Sequence, residues 1–246
     1  MISPEVTSLF KYCPIGKNQL SALAQKKIWY SKPEAFNDPF DTRYYVKERR
    51  YTHVLNSDSH NRKEILDEEM HYLMPSQKKS LDKSVEEFKA GIENLGILSL
   101  ARSHTNLLMW SHYAAEHKGM CLEFDRTESS LLADYESTQP IRYIDNYPSL
   151  NPISILNEDE SDILSIKKRI LYSKSKDWEY EQEWRHILDS GNKLFPWPAS
   201  LKSVYFGCKV LDADIHLVKS VIADSNVKFF RGKQYINKYG LFFDSE

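Results

Sequence analysis

Short apolar runs rich in β-prone residues recur along this chain of 246 residues, and they limit what it can fold into. Such runs occupy residues 8–11, 28–31, 96–101, 119–124, 141–144, 200–207 and 227–231. They suit strands and fall short of the roughly 18 apolar residues that span a bilayer. Segments with apolar residues at helical spacing lie between them, over residues 19–25, 107–114, 163–169 and 213–222. The pattern predicts a mixed α+β fold with a mostly antiparallel sheet, continuous or split, closed by the strand at 227–231.

Composition favours a single domain over residues 1–246, since 41% hydrophobic residues suffice for one packed core. Residues 47–93 are more charged and helix-forming, so we expect a helical insert there. The formal net charge of -2 argues against a strongly basic surface for nucleic acid. A local basic patch stays possible, so nucleic acid stays open as a partner. Three scattered cysteines without CxxC spacing, and no leader pattern, favour the cytoplasm and no membrane partner.

Residues 178–188 contain more potentially reactive side chains than any other short segment of the chain: three carboxylates, two indoles, an arginine and a histidine. If the second half is a strand, Glu181 and Glu183 lie on the same face. Such a pair can hold a hydroxyl with one carboxylate and stabilise developing positive charge with the other. An amphipathic helix with solvated glutamates is the alternative, because a pattern this short suits both.

Two further stretches carry candidate binding residues. The turn at 36–41 holds Asn37 and Asp41 as candidates for a polar site, while Asp38 suits a structural Asx turn. The helix predicted over 107–114, capped by Asn106 or Thr105, carries three more candidates, Trp110, His112 and Tyr113. These can grip an aromatic ligand, although a lone histidine such as His112 is more often structural.

Four separated blocks, at residues 9–12, 30–41, 109–124 and 178–185, together resemble a bacterial family of domains of unknown function numbered 2971. The resemblance covers nearly the whole chain. It implies a place among bacterial defence or mobile-element genes, phage defence included, and supplies no activity.

The order of a basic-aromatic first strand, an aromatic-serine second strand and a late Glu-x-Glu is similar to the ADP-ribosyltransferase fold. That resemblance implies NAD as substrate, in a transferase or glycohydrolase with a defence or toxin role and a macromolecular acceptor. It places Lys11 or Tyr12 in strand one, Tyr30 and Ser31 in strand two, Glu183 as the catalytic glutamate and Glu181 as the first acid.

Further roles follow from that placement. Tyr30 would stack on nicotinamide, and Lys11 with Arg185 would meet pyrophosphate oxygens. For Arg185 the alternative is an internal ion pair with Glu181 or Asp41.

Two other function classes stay open. One is a nuclease or phosphodiesterase, with or without a metal ion, that uses His104, His112, Asp38, Asp41 and Glu183. The other is a non-catalytic binding module whose groove for a nucleotide or peptide is formed by Trp110, Tyr113, Trp178, Tyr180 and Trp184.

Overall fold

A computed structural model describes residues 6–46, 75–150, 155 and 160–246 of the chain. The chain divides into two compact units. The first, called the sheet unit below, comprises Met1–Asp41, Asn94–Asp145 and Tyr172–Glu246; the second, the helical unit, comprises Thr42–Glu93 and Asn146–Leu171. The single-domain prediction stays a prediction, and residues 47–74 of the predicted insert lie outside the described ranges.

The strands are β1 Ser8–Cys13, β2 Lys27–Tyr30, β3 Tyr45–Val46, β4 Gly96–Ala101, β5 Met120–Asp125, β6 Thr138–Pro140, β7 Arg142–Ile144, β8 Ser149–Leu150, β9 Ser173–Ser175, β10 Glu183–Leu188, β11 Lys193–Pro196, β12 Leu201–Phe206, β13 Lys228–Gln234 and β14 Leu241–Ser245. The α-helices are α1 Lys17–Ala24, α2 Pro75–Glu93, α3 Leu107–Tyr113, α4 Glu160–Leu171 and α5 Asp212–Ile222. Short 3-10 helices occupy Pro33–Ala35, Leu131–Ala133 and Lys176–Glu181.

Eight strands form one sheet in the order β14-β13-β12-β5-β1-β4-β10-β6. Neighbours are antiparallel except β12 and β13, which run parallel. The prediction of a mixed α+β fold with a large, mostly antiparallel sheet is therefore confirmed. Three two-stranded ladders accompany it: β2 with β11, β3 with β8 and β7 with β9.

The centre of the sheet is unevenly paired. Strand β1 pairs along its whole length with β5, from Ser8 opposite Asp125 to Cys13 opposite Met120. With β4 it pairs only where Phe10 meets Ala101. Strand β4 in turn pairs along its whole length with β10. The two fully paired halves of the sheet thus meet at one point and diverge beside it.

Each face of β1 packs into a different cluster, because side chains alternate along a strand. Leu9 belongs to the larger core, which also contains Leu23 of α1 and Val218 of α5. Phe10 and Tyr12 face the second cluster, with Trp110 of α3. The helices α1 and α5 therefore cover one side of the sheet and α3 the other.

Two predictions about local hydrogen bonds, a helix cap and an Asx turn, are confirmed. Asn106 caps α3, accepting from the Leu108 N–H at 2.9 Å, as predicted. The Asx turn is also present, since Asp38 accepts from the Phe40 N–H at 2.9 Å. Helix α1 begins after Gly16, without a side-chain cap.

One sheet prediction is corrected. Strand β13 does not close the sheet, because a further strand, β14, forms the edge beyond it. Strand β2, which holds the strand-two position of the ADP-ribosyltransferase resemblance, forms a ladder with β11 and not with β1. Ser31, just past β2, reaches the main sheet through a bridge to Ile97 of β4.

The helical unit contains α2, α4 and the β3·β8 ladder. Phe88 and Ile92 of α2 are buried, as are Ile166 and Ile170 of α4, so each of these helices buries an apolar face. Across both units, no helix among the described residues is long and apolar enough to cross a membrane.

Candidate functional site

A cavity of about 780 Å³ lies within the sheet unit, and residues of both diverging strands line it. Strand β1 contributes Phe10, Lys11, Tyr12 and Cys13, and β4 contributes Ile97, Ser99, Leu100 and Ala101. A volume of this size suits a small molecule or cofactor. The incomplete pairing of β1 with β4 therefore coincides with a ligand-sized space.

Glu181 and Glu183 both line this cavity. Of the two alternatives for this segment, the strand is found for Glu183–Leu188, whereas Glu181 lies before it. Glu181 ends the 3-10 helix Lys176–Glu181, and Gln182 turns the chain in a left-handed conformation, with φ 45° and ψ 48°. Glu183 then begins β10. A corner at Gln182, rather than strand alternation, brings the two carboxylates together.

Lys174 of β9 joins these acids. Its Nζ donates to Glu181 Oε2 at 2.5 Å and to Glu183 Oε2 at 3.1 Å, and lies 3.7 Å from Asp41 Oδ2. Its side chain is only 6% exposed. We call Asp41, Lys174, Glu181 and Glu183 the site cluster. One buried ammonium thus holds three carboxylates within its reach.

Arg185 binds two carboxylates of the site cluster. It is fully buried, its Nε donates to Glu183 Oε1 at 2.8 Å, and its Nη2 donates to Asp41 Oδ2 at 2.6 Å. Its guanidinium carbon also lies 5.3 Å from the ring centroid of Phe36. The arginine forms the internal ion pair with Asp41 that was given as its alternative, pairs with Glu183 and not with Glu181 as its second partner, and does not line the cavity.

The two glutamates differ in acidity. Burial raises the pKa of Glu183, but Arg185 and Lys174 outweigh it and lower that pKa to about 2. Burial raises the pKa of Glu181 above its ordinary value, and the opposing effect of Lys174 does not cancel it. Glu183 therefore stays ionised to lower pH than Glu181 does.

Helix α3 supplies the partner of Glu181. The Tyr113 hydroxyl donates to Glu181 Oε1 at 2.5 Å. The cap residue Asn106 donates to the Tyr180 carbonyl at 2.6 Å, which ties the start of α3 to the 3-10 helix. His112, on the same helix, is exposed and lines the cavity.

Nine of the twelve predicted site residues line the cavity: Lys11, Tyr12, Ser31, Asn37, Asp41, His112, Tyr113, Glu181 and Glu183. Lys11 Nζ donates to the Ser99 carbonyl at 3.0 Å, and the Tyr12 hydroxyl donates to the Ser103 carbonyl at 2.9 Å. Burial lowers the pKa of Lys11.

The other three predicted residues lie outside the cavity lining: Tyr30, Trp110 and Arg185. Tyr30 is 1% exposed and its hydroxyl bonds to His186 Nδ1 at 2.7 Å, so its ring has no face for a nicotinamide. Trp110 is fully buried and donates from Nε1 to the His104 carbonyl. Both are held in the interior by packing and by a hydrogen bond.

The residues of the nuclease alternative are not all brought together. His104 stacks on Tyr205, with ring centroids 4.0 Å apart, and neither it nor Asp38 lines the cavity. Within the described ranges, no group of three or more histidine, cysteine, aspartate or glutamate residues could hold a metal ion.

The aromatic groove of the binding-module alternative is not formed as predicted, because two of its members are interior. Trp184 is 5% exposed in the larger core, beneath the Arg126 guanidinium, and Trp110 is fully buried. Trp178 and Tyr180 remain half-buried near the site cluster, where Lys174 Nζ lies 5.0 Å from the Trp178 ring centroid.

Sequence reasoning missed Lys174, the residue that connects the acids. It lies in the polar run 173–177, which looks like a surface connection and carries no motif. Its short strand β9 pairs with β7, which is distant in sequence. The one local signal is the nearby concentration of acids at 179–183, since buried carboxylates need a cation.

A comparison with known families supports the resemblance. The model of a family described as "Protein of unknown function (DUF2971)" matches residues 109–186, less than half of the chain. The resemblance is thereby confirmed over this stretch, which contains Tyr113, Lys174, Glu181 and Glu183, while the blocks at 9–12 and 30–41 lie outside it. Comparisons with curated proteins and with solved structures found no match.

Proposed function

We propose that this protein is an ADP-ribosyltransferase-like enzyme that cleaves the bond between nicotinamide and ribose in NAD, with water or a macromolecule as acceptor. The observation that carries the proposal is the convergence of Lys11, Ser31 and the Glu181/Glu183 pair on one cavity. The ADP-ribosyltransferase resemblance assigns these residues, and they come from three distant parts of the sequence. The mostly antiparallel sheet that opens beside β1 is compatible with that fold.

The proposed chemistry assigns charge to Glu183. When the bond between ribose C1′ and the nicotinamide nitrogen breaks, the electron pair leaves with nicotinamide and the ribose becomes oxocarbenium-like. A carboxylate that stays ionised stabilises this charge as it develops. The low pKa of Glu183, about 2, keeps it negative at any working pH.

Glu181 takes the proton-transfer role. Its oxygens accept from Tyr113 and Lys174, and a carboxylate can accept further donors. It is thus placed to accept the proton of the attacking hydroxyl as the new bond to C1′ forms. A raised pKa suits this role, because a general base works best with a pKa close to the operating pH.

Lys11 keeps its proposed part as a partner of the pyrophosphate, since its ammonium lies at the cavity wall. Arg185 is reassigned: enclosed by Asp41 and Glu183, it positions Glu183 and does not touch phosphate. Stacking of nicotinamide on Tyr30 is dropped, because that ring is interior.

The test is mass spectrometry of NAD incubated with the purified full chain, alone and with a mixed protein and nucleic-acid extract. Glu181→Gln should lower the rate of nicotinamide release by about 10²–10⁴-fold, the usual contribution of a general acid or base. Glu183→Gln should also lower it. Glu123→Gln is the matched control, because Glu123 is a partly buried carboxylate outside the cavity lining.

The outcomes separate the function classes. Release that needs Glu181 and Glu183 supports the proposal, and an adduct in the extract identifies the acceptor. NAD that is bound but recovered unchanged would replace the enzyme with a nucleotide-binding module. Neither binding nor turnover of NAD by the wild-type chain would overturn the proposal.

A further inference from the structure

The β2·β11 ladder presents an apolar pair to the cavity. Trp29 of β2 is directly opposite Leu194 of β11, and both line the cavity. Their exposed fractions, 49% and 37%, are high for large apolar side chains. We call Trp29 and Leu194 the apolar shelf.

The shelf is not explained by the core. The neighbours of Trp29 along β2, Ile28 and Tyr30, are buried at 7% and 1% exposure, so the strand already fills the interior with its other face. An indole left half-exposed beside a leucine, in a ligand-sized cavity, offers a flat apolar surface. Planar ring systems bind such surfaces by stacking.

The other residues of the cavity indicate which class of molecule carries the planar ring. Carboxylates of the site cluster suit the hydroxyls and developing charge of a sugar, and two further lysines at the wall, Lys11 and Lys27, suit phosphate oxygens. A sugar, phosphates and a planar ring together describe a nucleotide.

We propose that the shelf formed by Trp29 and Leu194 is the nucleobase subsite, where the adenine of the dinucleotide stacks on the Trp29 indole. This inference rests on the proposed function for the identity of the nucleotide. It adds a residue that fixes the substrate class, since an indole shelf accepts a purine base and gives nothing to a base-free sugar phosphate.

Isothermal titration calorimetry of the full chain with AMP, ADP-ribose and ribose 5-phosphate tests the subsite without any turnover. Base–aromatic stacking typically contributes about 1–3 kcal/mol per base, so Trp29→Ala should weaken AMP and ADP-ribose binding by roughly 5- to 150-fold. Trp29→Phe should retain most of the affinity. Ribose 5-phosphate should bind equally to the wild type and to Trp29→Ala.

Tyr239→Ala is the matched control, because Tyr239 is a fully exposed aromatic residue outside the cavity. It should leave all three affinities unchanged. Circular dichroism of Trp29→Ala checks that the half-exposed side chain is removed without unfolding.

Failure of the subsite and failure of the proposed function look different. Turnover of NAD with unchanged affinities in Trp29→Ala would overturn the subsite alone. Binding of AMP that depends on Trp29, without any cleavage of NAD, would uphold the subsite and overturn the catalytic proposal. A wild-type chain that binds neither AMP nor ADP-ribose would overturn the subsite.

Discussion

Two lysine–carboxylate clusters lie on opposite sides of β1 and behave differently. In the site cluster, on the β4–β10 side, Lys174 is 6% exposed and contacts two glutamates at 2.5 and 3.1 Å. On the β5–β12 side, Lys202 is 43% exposed and lies 3.7 Å from both Glu123 and Asp125. We call Lys202, Glu123 and Asp125 the rim cluster.

The difference follows from strand pairing. Strands β5 and β12 pair with their neighbours and leave the Lys202 side chain 43% exposed, where water screens its ammonium, while Glu123 and Asp125 are only 12% and 21% exposed. Where β1 and β4 diverge, the carboxylates line a cavity, and burial raises the pKa of Glu181. At the rim, burial is outweighed by hydrogen bonds from serine and tyrosine hydroxyls, and the pKa of Glu123 is lowered. The same residue types therefore share a buried cation in the site cluster and a half-exposed cation in the rim cluster.

The largest difference should come from removing each lysine. Lys174→Met leaves buried carboxylates without their shared cation and should lower the free energy of unfolding by about 3–5 kcal/mol. Lys202→Met should cost less than about 1 kcal/mol, as expected for an exposed pair. Urea unfolding at neutral pH measures both, and equal losses would remove the distinction between the clusters.

Acid should weaken the site cluster next. Because the folded pKa of Glu183, about 2, lies below its ordinary value of 4.5, its ionisation stabilises the fold above pH 4.5. This contribution, about 3 kcal/mol, is lost as pH falls from 4.5 towards 2. Unfolding free energies measured across that range should decline more steeply in the wild type than in Glu183→Gln. Parallel curves would contradict the assignment.

A matched pair of tyrosines gives a smaller effect. Tyr113 donates to Glu181 at 2.5 Å and Tyr205 donates to Glu123 at 3.0 Å. Tyr113→Phe should cost about 2 kcal/mol and raise the pKa of Glu181 further, moving the acid limb of activity to higher pH. Tyr205→Phe should cost less, because Glu123 keeps the hydrogen bond from the Ser8 hydroxyl, and should leave that limb unchanged. Carbon-13 NMR titration of the glutamate carboxyls reads each pKa directly.

The smallest effect concerns the support of the site. Asn106→Ala removes the cap of α3 and the bond to the Tyr180 carbonyl, for a loss of about 1 kcal/mol. Because the bond holds the chain next to Glu181, NAD cleavage should fall by more than this stability loss predicts. Asp224→Ala removes a comparable side-chain bond, to the Asn226 N–H, at a residue outside the cavity lining, and should leave the rate unchanged.

The sequence predicted the elements better than their partners. Runs such as 96–101 and the capped helix after Asn106 have signals within a few residues, and both formed as expected. Pairing between β2 and β11 depends on contacts across more than 150 residues, for which no local pattern exists. Because side chains alternate along a strand, the sequence could show that Trp29 and Tyr30 lie on opposite faces. Which of the two faces is interior depends on the pairing of β2 with β11.

The site was predicted in part for the same reason. Glu181 and Glu183 stood out by their density in one segment, and they do share a cavity. No sequence feature marked Lys174, because its role depends on the fold, which buries three carboxylates around it. Arg185 was recognised as chemically important, but only burial revealed that it faces the protein interior.

The corner at Gln182 has a consequence for how this protein can vary in length. Glu183, the first residue of β10, is opposite Ala101, and the next residue, Trp184, points into the larger core. Deleting or inserting one residue within β10 would exchange the two faces, placing an indole in the cavity and a carboxylate in the core. The 3-10 helix before Gln182 has no such alternation of faces, so a length change there would displace Glu181 from Tyr113 and Lys174 without exchanging the two faces of β10.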